Sequence, residues 1–240
     1  MPDPVTPNPG IEKVRLNRGG VRNIAREIAH ILLHLVILLA AAGTLQWINA
    51  WVMAGLGLIY QAINTTVLLR FNPELFNRRG KLFQEGTKRF DKVFVALYLP
   101  LGVLISILCG LDAVRYGWSR MPGAFILLGV IIFIFACAFG MWAMAVNAHF
   151  EATVFIGQQQ RVCTSGPYRI VRHPGYAAAM LGAPAYPLIL GSGWGLLATG
   201  ALVLLFVVRT ALEDRTLQNE LPGYREYAEQ TRYRLVPGLW

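Results

Sequence analysis

Six apolar stretches, at about 24–43, 46–69, 91–111, 122–147, 175–190 and 194–212, limit what this chain can fold into more than any other feature. All but the fifth are long enough for a helix to cross about 30 Å of hydrocarbon. The 240 residues are 55% apolar and only 15% charged, with a mean hydropathy of +0.47, which leaves too little polar surface for an ordinary soluble domain. The expected fold is therefore all-α, a polytopic integral membrane helical bundle of five to six transmembrane helices. The fifth stretch has 16 residues and contains Pro184 and Pro187. It is expected to kink, or to cross only together with its neighbour through the Gly191–Trp194 turn.

The cations follow the same division. Five Lys and Arg precede Ile28, seven fall in 70–92, three in 147–173 and five from Arg209 onward, against two in 112–120 and none in the other two connections. This alternation is the positive-inside pattern, and it predicts that the N-terminus, 70–92, 148–174 and 213–240 are cytoplasmic. The net charge of +9 then reflects topology and contact with anionic membrane lipids, and no nucleic-acid partner is expected. Trp47, Trp51, Trp118 and Trp194 lie near the opposite segment ends and read as interfacial anchors. Cys109 and Cys137 sit in apolar segments and Cys163 in a cytoplasmic loop, so no disulfide framework is implied.

The chain divides into residues 1–23, a tail and interfacial segment; 24–147, four helices; and 148–240, where polar residues are densest. Four prolines in the first ten residues predict a mobile tail, and the basic stretch Arg15–Glu27 suits the lipid headgroup level. A removable signal peptide is the rival reading of this end. It is opposed by the second apolar segment, which follows at once and makes a natural hairpin.

The chemistry gathers after His149. The run Thr164–Pro174, T-S-G-P-Y-R-I-V-R-H-P, continues as Gly175-Tyr176 and marks a loop entering a helix, with Pro174 at a first-turn position where its missing N–H costs nothing. The free amides there, with Arg172 and His173, offer donors to an anionic group; the plainer alternative is a juxtamembrane turn touching lipid phosphate. Arg209 and Glu213 are four residues apart, on one helix face, with Arg209 just after the apolar run Leu202–Val208. An ionisable group at that depth is a functional candidate, or else a cation snorkelling to the surface. Tyr224 and Tyr227 can stack on an adenine or attract a sulfonium, or simply pack a surface helix. His149 closes the fourth apolar stretch with Asn147 and Glu151 nearby. His30 and His34 have metal-ligand spacing, but no Cys or carboxylate accompanies them in that span; no metal site is expected.

These elements, Arg172-His173-Pro174-Gly175-Tyr176, Glu213-Asp214, Gly223-Tyr224-Arg225-Glu226-Tyr227 and Leu235-Val236-Pro237, resemble in order the isoprenylcysteine carboxyl methyltransferase family and its relatives among phospholipid N-methyltransferases. The resemblance covers about His149 to the C-terminus. It implies a membrane enzyme that moves a methyl group from S-adenosylmethionine to a lipophilic acceptor, such as an isoprenylcysteine-like carboxylate, with a cytoplasmic cofactor pocket in the C-terminal part. The cofactor contacts expected with it are His149, Tyr168, Arg172, His173, Pro174, Tyr176, Glu213, Asp214, Tyr224 and Tyr227; the chemistry of methyl transfer adds Arg209 to hold the acceptor, and Glu213 or His173 as a base for an amine or phenol. Two positions depart from the family pattern: Ala178 stands for a Gly, and Asp214 for a second Glu. NADPH-dependent sterol or isoprenoid reductases are similar in the same region but tend to carry Pro-Asn-Tyr where this chain has His173-Pro174-Gly175-Tyr176. A transporter or scaffold would place polar groups at mid-span, whereas here the charge collects at one face.

Overall fold

The computed structural model describes residues 16–154, 156 and 160–240; the expected tail at 1–10 lies outside them. Among the described residues all regular structure is helical and there is no strand. The helices are α1 (Arg18–Ala42), α2 (Ile48–Phe71), α3 (Pro73–Arg78), α4 (Arg89–Gly110), which continues as a π-helical turn over Leu111–Tyr116, and α5 (Gly123–Val146). After a loop come α6 (Pro174–Gly182), α7 (Ala185–Leu190), α8 (Gly193–Glu220) and α9 (Tyr224–Gln230).

Five helices are long and apolar enough to cross a membrane: α1, α2, α4 with its π turn, α5 and α8. Their outward faces carry Val36, Leu127, Phe135, Leu197 and Leu204, each more than half exposed, which is the pattern of a bundle solvated by lipid. The segment at 175–190 is broken at Ala183–Pro184 into α6 and α7, neither long enough alone. Together they still pass from one face of the bundle to the other. Pro174 begins beside the polar cleft, while Ser192, just past α7, donates to Asp112 Oδ2 at the far end of α4 (2.7 Å). That crossing returns α8 to the cleft face with Glu213 and Asp214. α7 lies close against α5 because Gly129 has no Cβ to meet Leu188 and the Ile189 amide.

The far end is closed by Asp112. This fully buried carboxylate accepts from the Ser119 amide (2.7 Å) and hydroxyl (2.6 Å), the Ser192 hydroxyl and the Trp194 amide (3.1 Å). Ser192 in turn caps α8 by accepting from the Gly195 amide (2.9 Å).

Two expectations change. Trp47 is buried with Leu35, Leu38 and Ile105, so it belongs to the core; Trp51, Trp118 and Trp194 remain about half exposed at the segment ends. The basic stretch before Ile28 is no separate surface helix either. Its described part forms the first turns of α1, capped by Asn17, and it packs on α3: Asn23 is buried, and Arg26 donates to the Arg79 carbonyl (3.0 Å).

Candidate active site

The cleft is built where α6 starts. A single 3-10 turn, Gly166–Arg169, opens with Gly166 at φ 56°, a left-handed conformation that suits a residue without a side chain. The chain then reaches His173, which caps α6: its carbonyl accepts from the amides of Tyr176 (3.1 Å) and Ala177 (3.0 Å). Gly175 follows Pro174 because a Cβ there would run into the Phe150 ring. Gly175 lines the cleft at the positive end of α6, and its amide has no backbone partner among the described residues.

Behind this turn Asp214 is fully buried and holds the C-terminal part together. Its two oxygens accept from Arg172 Nε (2.8 Å) and Nη2 (3.0 Å), His173 Nε2 (3.2 Å), Gln218 Nε2 (2.8 Å), the Tyr224 hydroxyl (3.1 Å) and Arg234 Nε (2.8 Å). The remaining arm of Arg172, Nη1, donates to the carbonyls of Thr231 and Arg232, both at 2.8 Å. The amides of Arg172 and His173 donate to the carbonyls of Tyr233 and Arg234 (2.9 Å each). Residues 231–235 therefore form a strap tied to the start of α6. Tyr227 fastens it further by donating to the Tyr168 carbonyl (2.7 Å).

The open side of the cleft is lined by His149, Phe150, Arg161, Tyr168, His173, Tyr176, Glu213, Tyr224 and Tyr227, among others, and its enclosed part measures about 110 Å³. Tyr176 donates its hydroxyl to Glu213 Oε2 and stacks on the His173 ring, with centroids 5.7 Å apart and planes 8° from parallel. Underneath, Arg209 lies between the rings of Phe94 (4.2 Å) and Tyr176 (4.8 Å) and pairs with Asp91: Nε is 2.7 Å from Oδ1, and Nη2 donates to Oδ2 (3.1 Å). Nη2 also donates to the Ala152 carbonyl (3.0 Å). Such a desolvated cation between two rings is a rigid support for both of them.

Burial and charge keep the phenols of this region protonated. The hydroxyls of Tyr168 and Tyr227 are pushed up by burial, and that of Tyr224 by burial and the adjacent Asp214. Burial pulls the Arg172 guanidinium down, but the hydrogen bonds and charge of Asp214 more than offset this, and its net shift is upward. His149 is lowered by burial and then by Arg78, so it presents a neutral imidazole at pH 7.

The ten residues expected to contact a cofactor come together at one end of the bundle, but in two layers. His149, Tyr168, Arg172, His173, Pro174, Tyr176, Glu213, Tyr224 and Tyr227 border the cleft. Asp214 stands behind it, and the guanidinium nitrogens of Arg172 are committed to Asp214 and the strap. Arg209 is also away from the cleft lining, engaged with Asp91 and two rings. Sequence reasoning missed three partners: Asp91, Arg234 and Arg161. Asp91 showed itself only as a carboxylate at the edge of an apolar stretch. Arg161 is exposed, lines the cleft and forms no ion pair among the described residues.

No curated protein matches the chain. Residues 124–222 match the family model described as phospholipid methyltransferase. The matched stretch begins in α5, contains Arg172, His173, Tyr176, Arg209, Glu213 and Asp214, and stops before Tyr224 and the strap. Over this region, which is less than half of the chain, the protein is similar to phospholipid methyltransferases, and the similarity indicates a membrane methyltransferase.

Proposed function

We propose that the protein transfers a methyl group from S-adenosylmethionine to a lipophilic acceptor at this cleft. The observation that carries the reading is Glu213, a carboxylate held in place by Tyr176 within a wall of aromatic rings, inside the stretch that matches phospholipid methyltransferase. Methyltransferases of that family generally use S-adenosylmethionine, and the residues suit it in kind. Glu213 can accept from an ammonium or from ribose hydroxyls. Tyr224, Tyr227 and Phe150 offer rings to an adenine or a sulfonium. Arg161 and the Gly175 amide offer donors to a carboxylate. The enclosed volume is below the roughly 300–1,000 Å³ of common ligand pockets, so a ligand of that size also occupies the open mouth.

When bound, the cofactor supplies an electrophilic methyl on sulfur, and the chain's residues align its partner and exclude water. A carboxylate acceptor, such as that of an isoprenylcysteine, needs no base. An amine acceptor, such as a phospholipid headgroup, has to lose a proton, and Glu213 is the group placed to take it at Oε1, because Oε2 is held by Tyr176.

Arg209 and Asp214 act one layer back in this reading, as positioning residues. Arg209→Lys keeps a cation beside Asp91 but loses the planar surface between Phe94 and Tyr176. Turnover should fall on the order of tenfold to a hundredfold while S-adenosylhomocysteine affinity changes much less, because a small misplacement costs rate before binding. Equal loss of both would place Arg209 in direct contact with the cofactor.

The cleft face is proposed to be cytoplasmic, on the distribution of Lys and Arg. In a background with the three native cysteines replaced, Glu85→Cys should resist a membrane-impermeant thiol reagent in intact cells, while Arg120→Cys should react; both positions are exposed. Gln159, in the stretch 148–174 that is also expected to be cytoplasmic, lies outside the described residues. The reverse labelling pattern would invert the orientation.

A further inference from the structure

A second cavity, about 270 Å³, lies in the middle of the bundle among α1, α2, α4, α7 and α8. No residue lines both cavities. They are separated by a packed aromatic layer: Tyr98 of the second cavity touches Phe94 (5.5 Å) and Phe206 (6.0 Å), and Phe206 touches Tyr176 of the cleft (5.9 Å). The wall is mostly apolar, and its exposed lining residues, His30 of α1 and Leu99 of α4, place the mouth on the lipid side of the bundle.

One polar chain interrupts this wall. The hydroxyl of fully buried Ser106 lies 3.0 Å from the Gly102 carbonyl, which can only accept, and has two further polar contacts. These are the Tyr186 hydroxyl (2.8 Å) and His34 Nδ1 (2.7 Å), and the oxygen accepts at both when the Ser106 hydrogen goes to the carbonyl. With its hydrogen on Nδ1, the His34 imidazole keeps a lone pair on Nε2, and Nε2 makes no hydrogen bond among the described residues. The Cε1–Nε2 edge of the ring faces Gly102, which also lines the cavity: a Cβ there would be in ordinary contact with the ring, 3.5 Å from Cε1 and 3.9 Å from Nε2. A network formed only to join helices would use up its acceptors, whereas in this proton arrangement it ends on an acceptor in a cavity wall.

We propose that this cavity binds a lipophilic alcohol, whose hydroxyl donates to His34 Nε2 while its hydrocarbon lies among α1, α2, α4 and α8. The cavity volume is at the lower edge of common small-molecule pockets, which fits the hydroxyl-bearing end of a chain whose remainder leaves between α1 and α4. This site is independent of the methyl-transfer cleft and of the reading given to it.

The test uses the full-length protein in nanodiscs with a hexadecanol analogue that carries a mid-chain diazirine, compared with its methyl ether. The two differ only in the donor hydrogen. Photolabelling mapped by mass spectrometry should mark peptides of α1, α2, α4 and α8 that line the cavity, with the alcohol labelling about fivefold more at equal concentration, the ratio expected for one hydrogen bond. His34→Phe keeps a ring of similar bulk and should erase the preference for the alcohol. Ala54→Trp fills the cavity and should remove labelling by both probes. Only variants that match the wild-type melting temperature are compared, and the wild-type ratio stands without any variant. Equal labelling by alcohol and ether in the wild type, or labelling confined to the outer faces of the helices, would overturn the proposal.

Discussion

Asp214→Ala should lower folding stability by about 3–5 kcal/mol, the range seen when one partner of a buried ion pair is removed and its counterpart is left uncompensated. Arg172, only 7% exposed, would keep its charge with no carboxylate beside it, and Arg234 would lose its anchor. The strap at 231–235 should then release from the start of α6. A fall in melting temperature of the purified protein, together with new protease cleavage after residue 230, checks this. Arg172→Lys should show the same release in weaker form, because an ammonium cannot reach two carboxylate oxygens and two strap carbonyls at once. An Asp214→Ala protein with wild-type melting temperature and an intact tail would mean that the Arg172 Nη1, Tyr227 and backbone bonds hold the strap without Asp214.

Glu213→Ala should weaken S-adenosylhomocysteine binding by roughly 1.5–3 kcal/mol, the magnitude for loss of a charge-assisted hydrogen bond. Its position differs from that of its neighbour in a way that makes the result specific. Asp214 is fully buried behind the wall, so its loss acts through folding, whereas the Glu213 side chain remains 17% exposed at the cleft. Glu213→Ala should therefore leave the melting temperature of the ligand-free protein nearly unchanged. Glu213→Gln keeps an oxygen for the Tyr176 hydroxyl and removes only the charge. Recovery of affinity in the Gln variant would assign the effect to neutral hydrogen bonding; loss equal to Ala assigns it to charge.

The long helices were legible because membrane helices announce themselves through length and hydropathy, and α1, α2, α4, α5 and α8 fall close to the apolar stretches. Pro184 likewise marked the break that divides α6 from α7. Trp47 was misread because its place at a segment end does not show whether the ring turns outward to headgroups or inward to Leu35 and Leu38. Motif order drew attention to the residues around the cleft, yet it could not sort those that line it from those that support them. That sorting depends on partners distant in sequence: Arg209 is held by Asp91, 118 positions away, and Arg172 by Asp214, 42 positions away. A guanidinium near a carboxylate is available to a ligand or consumed by the protein according to such long-range pairings, and spacing within one helix carries no trace of them. The strap was hidden for the same reason, since its hydrogen bonds run from its backbone carbonyls to Arg172 and His173.

Methyl transfer at this site requires that the cleft beside Glu213 bind S-adenosylmethionine. Equilibrium binding of S-adenosylhomocysteine and of NADPH to the detergent-purified, folded protein tests it most directly, since the two ligands report the methyltransferase and the reductase that share motifs in this region. Saturable binding of S-adenosylhomocysteine that weakens in Glu213→Ala is expected, with no saturable binding of NADPH. Saturable NADPH binding with no uptake of S-adenosylhomocysteine would contradict it.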